Sequence, residues 1–387
     1  MIFTSKKFRI LSATAMSLML FSCEVSSGDG VSEVTDTPSV PDTPDTPDDG
    51  IYKFHSTVTY LDAGTDGTAG TNRTYCLFGD WPQTIKEQDV EVDETQAITM
   101  GGATYYLGSD KNYYAKCTEN ASNSRYTYSD GTSAAQKSSG SEKYFKVEPI
   151  KWRVLNPNAT SDNKILLAEK ALTANVAYYG SNSMFARKLN NKSIYANNYK
   201  YSNIRAYLNG TVNQFVTDGG TATDYDIDWT GKGFLQTAFT SAAQGLVADT
   251  EVDNSAESTN PASDSNLWNE GTNNNASTVT KDKIFLLSEK EVTTSGYGFA
   301  EYNVYVGDSN GTTESCRIRK ATDYAIANYA FLNIYDATLN VSWWLRSPAW
   351  RYNYRAYYGG SEGNVSDSID VDDENISIVP ALSISAK

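Results

Sequence analysis

Histidine is almost absent, and His55 is the only one in 387 residues. A histidine-dependent triad or a multi-histidine metal site is excluded unless His55 itself serves, and its place beside a linker-like stretch reads as a solvated side chain. Cysteine is nearly as scarce. Cys23 falls in the leader, and Cys76, Cys117 and Cys316 show neither C-x-x-C nor metal-ligand spacing. A Cys76–Cys117 disulfide and a set of free thiols are both compatible with a compartment outside the cytoplasm. Positive charge is short too: 32 Lys and Arg against 47 Asp and Glu leave a net charge of −15. That deficit excludes the basic footprint that nucleic acid and anionic headgroups need. Beyond residue 21 no apolar run is long enough to cross a membrane. The scattered acids give no readable catalytic pair, because sequence does not fix the carboxyl separation of about 5–10 Å used in glycoside chemistry.

Tyrosine, by contrast, is abundant, with 27 against 13 phenylalanines. Much of the aromatic mass therefore carries a hydroxyl that must reach water or a partner. A hydrophobic content of 40% still suffices for a sizeable core. The densest stretch, 343–365, reads W-W-L-R-S-P-A-W-R-Y-N-Y-R-A-Y-Y-G-G-S-E-G-N-V and contains no lysine. Tyr, Trp and Arg give large contact area at low entropy cost and dominate binding hot spots. No nucleophile sits beside a base here, so the stretch predicts a displayed binding surface. The bland alternative, half-buried strand aromatics at Tyr352, Tyr354, Tyr357 and Tyr358, stays open because these alternate with Arg351, Asn353 and Arg355. Adjacent Trp343 and Trp344 point to opposite faces of an extended chain, and both are expected in the core, with Arg346 reaching a carbonyl or carboxylate.

Residues 1–22 read as an export signal, with Lys6, Lys7 and Arg9 before the apolar run 10–21. The run ends L-F-S-C, which resembles a lipobox and predicts acylation of Cys23 and membrane contact through lipid alone. Residues 23–50 form an acidic Pro/Thr/Asp-rich stalk: past Cys23 they hold no Lys or Arg and repeat Asp-Thr-Pro, a composition that cannot bury a core. Residues 51–387 then read as one α+β domain with short strands and long loops. Strands are expected at 57–61, at 145–155 with a hairpin partner at 164–169, in the run from 282, and at 376–384 around Pro380. The tyrosine-rich passage up to about 143 predicts hairpins and loops. Helices are expected at 202–210, capped by Ser202 and stopped by Gly210, at 234–246, after the strand from 282, and at 321–329 with Thr322 as cap. The polar stretch 249–278 predicts a surface excursion. The acidic run 367–375 suits either calcium or a solvated loop, and lacks the pattern of a known calcium motif.

Seven strings occur in order: L-F-G-D-W-P-Q (77–83), P-I-K-W-R-V-L (149–155), Y-S-N-I-R-A-Y-L-N-G (201–210), D-K-I-F-L-L-S-E-K-E-V (282–292), T-D-Y-A-I-A-N (322–328), W-W-L-R-S-P (343–348) and V-P-A-L (379–382). Together they resemble the variable proteins of diversity-generating retroelements. The resemblance implies a C-type lectin-like fold of the formylglycine-generating-enzyme type. It also implies C-terminal codons rewritten at adenines, and an exposed ligand-binding face that displays the changed residues. The frame would be residues 343–348 and 379–382. The variable region, about 343–387, would draw its contacts from Trp350, Arg351, Tyr352, Asn353, Tyr354, Arg355, Tyr357, Tyr358, Ser361, Ser366, Asp367 and Ser368. Trp350 and Glu362 depart from the adenine-rewritten alphabet. The expectation is a lipid-anchored protein of the bacterial cell surface and outer membrane, with a protein or glycan ligand, no catalysis, no cofactor or metal and no nucleic acid. The alternative is an enzyme of the formylglycine-generating or hydrolase type on the same fold, against which the missing cysteine pair and single histidine count.

Overall fold

The longest strand, Glu142–Val154, organises the sheet that the rest of the domain packs on. Phe145, Val147 and Trp152 are wholly buried along it, while Glu142 and the lysines between them stay in reach of water. The computed structural model describes residues 50–61, 74–157, 163–180, 187–189, 192–212, 227–259, 279–299, 316–332, 339–349 and 352–385. Thr74–Ile85 lies antiparallel along one edge of the long strand. Tyr113–Thr118 and Asn163–Ala168 share its other edge. The sheet continues through Ala103–Gly108 and Val92–Met100 on one side and through Ala381–Ser385 and Ile284–Phe285 on the other, nine strands among the described residues. Thr59–Tyr60 is all that forms of the strand expected at 57–61. The expected hairpin of 145–155 with 164–169 is present, Trp152 facing Ala168. The tyrosine-rich passage forms hairpins, as its alternation suggests.

Helices are few and short. Asn203–Asn209 is capped as its sequence predicts: Ser202 Oγ accepts the Arg205 N–H at 3.1 Å, and Gly210 closes it at φ 62°, the left-handed conformation glycine adopts without strain. Thr322 likewise caps Asp323–Ala327. Glu289–Val292 begins with a capping box formed by Ser288 and Glu291. The helix expected at 234–246 is instead two, Phe234–Ala238 and Ser241–Gln244. Phe239 is extended between them, its ring buried against Phe78 at 5.0 Å, and Thr240 starts the second helix as its cap. The polar stretch from 249 is also not a plain surface excursion in its described part. Thr250–Val252 pairs with Thr280–Asp282, and the buried Thr259 carbonyl accepts a hydrogen bond from Ser347 Oγ at 2.7 Å. Residues 260–278 lie outside the described residues.

A separate three-stranded antiparallel sheet, Trp343–Pro348, Arg355–Gly359 and Val365–Asp370, carries the C-terminal stretch. Its first strand is buried along its whole length, and Trp343 and Trp344 are wholly inaccessible. The strand is moored through its backbone: Trp344 N–H donates to Ser377 O at 3.0 Å and Arg346 N–H to Leu287 O at 2.9 Å. The fold class is thus mixed α/β and strand-rich, with several sheets. Gly50–Lys387 forms one compact unit. The expected export signal, Cys23 and the expected stalk up to residue 49 lie outside the described residues. Among the described residues no helix is long and apolar enough to cross a membrane.

Candidate functional site

The turn into Arg355–Gly359 brings the predicted aromatic and basic residues together. Tyr352 is 40% exposed and its ring centroid lies 5.6 Å from that of Tyr354. The Arg355 guanidinium sits 4.5 Å from the Tyr352 centroid and 5.5 Å from that of Tyr354. Its Nε donates to Asp370 Oδ1 at 2.7 Å, across the strand pair in which Arg355 and Asp370 stand opposite. An arginine aligned this way on two rings keeps a planar, charged face with little rotamer freedom left to lose on binding.

The turn is set from below by Asn197, which is wholly buried. Its Nδ2 donates to Tyr352 O and Arg355 O, both at 3.0 Å, and its backbone N–H to Asn353 O at 3.2 Å. Val371 N–H donates to Tyr354 O at 2.9 Å. Sequence reasoning missed Asn197 because its partners lie some 155 residues away and nothing local marks it.

Further along, Tyr358 is half-buried with its hydroxyl 3.2 Å from Ser368 Oγ, and Ser366 Oγ lies 3.4 Å from the same oxygen. These hydroxyls form an outer polar face beside the tyrosine–arginine cluster. Asn353, Ser361 and Asp367 are half-buried, and Ser368 and Glu362 are exposed. Tyr357 is a correction: it is only 9% exposed and belongs to the core. Strict alternation would have buried one of Ala356 and Tyr357, but a register shift between Ala356 and Tyr358 turns both inward. Trp350 and Arg351 lie outside the described residues.

The frame under this face is rigid and partly charged. Arg346, 4% exposed, pairs with Glu291 through both terminal nitrogens and also donates to Leu286 O at 2.8 Å. Glu291 therefore closes the helix cap and neutralises the buried guanidinium together. Glu289 beside it is buried, and burial first, then the negative charge of Asp367, pushes its carboxyl well above the usual carboxylate range.

Among the described residues no nucleophile is hydrogen-bonded to a base at this face. Cys76 and Cys117 are not joined to one another, and burial pushes the Cys76 thiol up to about 12 and the Cys117 thiol up to about 11. Such thiols are poor nucleophiles. His55 is not the solvated side chain its neighbours suggested. Its Nδ1 lies 2.8 Å from Oδ1 of Asp80, which is 1% exposed, while its backbone N–H donates to Oδ2 at 2.7 Å and Tyr52 Oη donates to Oδ1 at 2.6 Å. No nucleophilic side chain hydrogen-bonds the other ring nitrogen among the described residues. Among the described residues no three His, Cys, Asp or Glu cluster as metal ligands.

The fold and site together define a strand-rich α/β domain with a tyrosine–arginine cluster on its C-terminal sheet. Residues 161–386, more than half of the chain, match the family model described as Domain of unknown function (DUF6273), and the chain belongs to that family. No curated protein and no solved structure matches it.

Proposed function

We propose that this protein is a ligand-binding surface protein of the retroelement-diversified kind, with a C-type lectin-like domain that takes a protein or glycan on its C-terminal face without catalysis. The observation that carries this reading is the pre-stacked Tyr352, Tyr354 and Arg355 cluster, aligned by Asp370 and held by Asn197 above a fully buried strand. Preorganised Tyr and Arg anchors are where interface energy concentrates. In this reading Tyr358, Ser366, Asp367 and Ser368 widen the contact surface, Cys23 carries the lipid that holds the protein at the outer membrane, and residues 24–50 lift the domain from it. An enzyme on the same fold is the weaker reading, because the described thiols are scattered and the His55–Asp80 pair lacks a nucleophile.

The test is an array of extracellular proteins and glycans probed with the full chain and with a Tyr352→Ala/Tyr354→Ala/Arg355→Ala variant. The expected result is a ligand whose signal falls by tens-fold in the variant, since a central anchor contributes about 2 kcal/mol or more. Ligands bound equally by both proteins would overturn the assignment of this face.

A further inference from the structure

Two of the strings singled out in the sequence, at 77–83 and 322–328, meet at a cavity the C-terminal site does not use. Its volume is about 320 Å³, at the small end of the roughly 300–1,000 Å³ typical of ligand pockets. It opens where two neighbouring strands part. Ala103–Gly108 and Tyr113–Thr118 pair only as far as Tyr105 opposite Ala115. Past that point Ala103 stays paired with Met100, and Thr118 with Glu142, so two backbone edges flank a gap that no strand fills.

The walls are aromatic. Trp81 and Tyr105 are buried, and their polar atoms are already taken: Trp81 Nε1 donates to Leu172 O at 2.9 Å and Tyr105 Oη to Thr237 O at 3.3 Å. They back the cavity, and the accessible rings are those of two further tyrosines. Tyr106 and Tyr324 are half-buried. Tyr324 is set edge-on by Trp81, at 6.0 Å and 83°, and by Phe145, at 5.6 Å and 77°. Among the described residues nothing hydrogen-bonds its hydroxyl, although the ring lines the cavity. Beside the rings the cleft is polar, with one lysine held by two glutamates. Lys116 Nζ lies 2.9 Å from Glu94 and 3.4 Å from Glu142, and Thr104 and Thr118 add hydroxyls beside it.

We propose that this cleft binds a neutral pyranose ring, its C–H face against the tyrosine rings and its hydroxyls on the Tyr324 hydroxyl, the threonines and the Lys116–Glu142 pair. A cationic ligand would have to displace Lys116 from the two carboxylates that already hold it. An anionic one would meet Glu94 and Glu142 and a chain of net charge −15. A neutral ligand with both donors and acceptors faces neither penalty, and a purely apolar one would leave the rim unsatisfied.

The site is independent of the C-terminal face, so the two stand or fall separately. Saturation-transfer NMR on the full chain in detergent would use D-glucose, D-galactose, D-mannose and N-acetyl-D-glucosamine as probes, with dissociation constants from titration. At least one sugar should bind. Tyr324→Phe, which keeps the ring and removes only the hydroxyl, should weaken it about fivefold, and Tyr106→Ala about tenfold or more. Tyr352→Ala should leave it unchanged. If none of the four sugars binds, or if Tyr324→Phe and Tyr106→Ala proteins that melt like wild type bind as tightly as it does, the proposal is wrong. Loss of binding in Tyr352→Ala would move the sugar to the C-terminal face and overturn it equally. Should Tyr106→Ala fail to fold, the near-isosteric Tyr324→Phe decides alone.

Discussion

The indole of Trp343 lies flat against the backbone of Gly359 on the neighbouring strand, so close that a Cβ at Gly359 would fall 2.5 Å from Nε1. The indole N–H is meanwhile committed to Arg317 O at 3.1 Å, which leaves the ring no freedom to retreat. Gly359→Ala should therefore cost about 1–3 kcal/mol by overpacking, and Trp343→Ala about 3–5 kcal/mol by leaving a cavity. Urea unfolding of both proteins measures this, and a Gly359→Ala midpoint equal to wild type would show that the ring yields.

The outer cluster should behave in the opposite way. Tyr352→Ala is expected to cost no more than about 0.5 kcal/mol, the usual range for exposed substitutions, and the half-buried Tyr354→Ala about 1 kcal/mol. Arg355→Ala should cost up to about 1 kcal/mol, since its pair with Asp370 faces solvent on both sides. A thermal melt that collapses in these variants while the tryptophan variants melt normally would reverse the assignment of frame and face.

Asp80 gathers Tyr52 and His55 onto the main sheet, and this tie fastens the segment 50–61. Asp80→Ala leaves three donors without their acceptor and should cost about 1–3 kcal/mol. Hydrogen exchange should speed up first at residues 51–60. Unchanged protection there would mean that the segment is held by other contacts, such as Phe54 stacked on Tyr113.

Glu289 predicts a pH dependence of definite sign. Its folded-state carboxyl is held above its ordinary value of 4.5, so the folded protein keeps a proton that the unfolded chain has released. The penalty is absent below about pH 4.5 and grows as pH rises towards the folded-state value. Glu289→Gln removes it and should gain stability relative to wild type at pH 7 but not at pH 4. Denaturant midpoints at the two pH values check this, and equal differences at both would place the Glu289 carboxyl in contact with water.

Cys23→Ala should abolish acylation and shift the protein from the detergent phase to the aqueous phase on detergent partitioning. Continued recovery in the detergent phase would sink the lipoprotein reading.

Local signals served well where one segment holds its own explanation. Ser202 and Gly210 bound a helix, Thr322 caps another, and the apolar run ending at Leu155 finds its hairpin partner ten residues on. The adjacency of Trp343 and Trp344 required one of them to be in the core, and both are. What escaped depends on distant partners or on broken periodicity. His55 gave no local hint of Asp80, Asn197 none of the turn at 352–355, and the register shift that buries Tyr357 leaves no mark in its sequence. At 234–246 the apolar spacing was real, yet Phe239 is worth more against Phe78 and Trp152 than in a continuous helix.

Asn197 grips the turn through carbonyl oxygens, those of Tyr352, Asn353 and Arg355. Every amino acid has a carbonyl, proline included, so this grip is blind to the side chains it positions. Chemical identity at the turn and the shape of the turn are thereby set by different residues: the side chains at 352–355 can change while the buried amide of Asn197, some 155 residues away, keeps the same backbone partners.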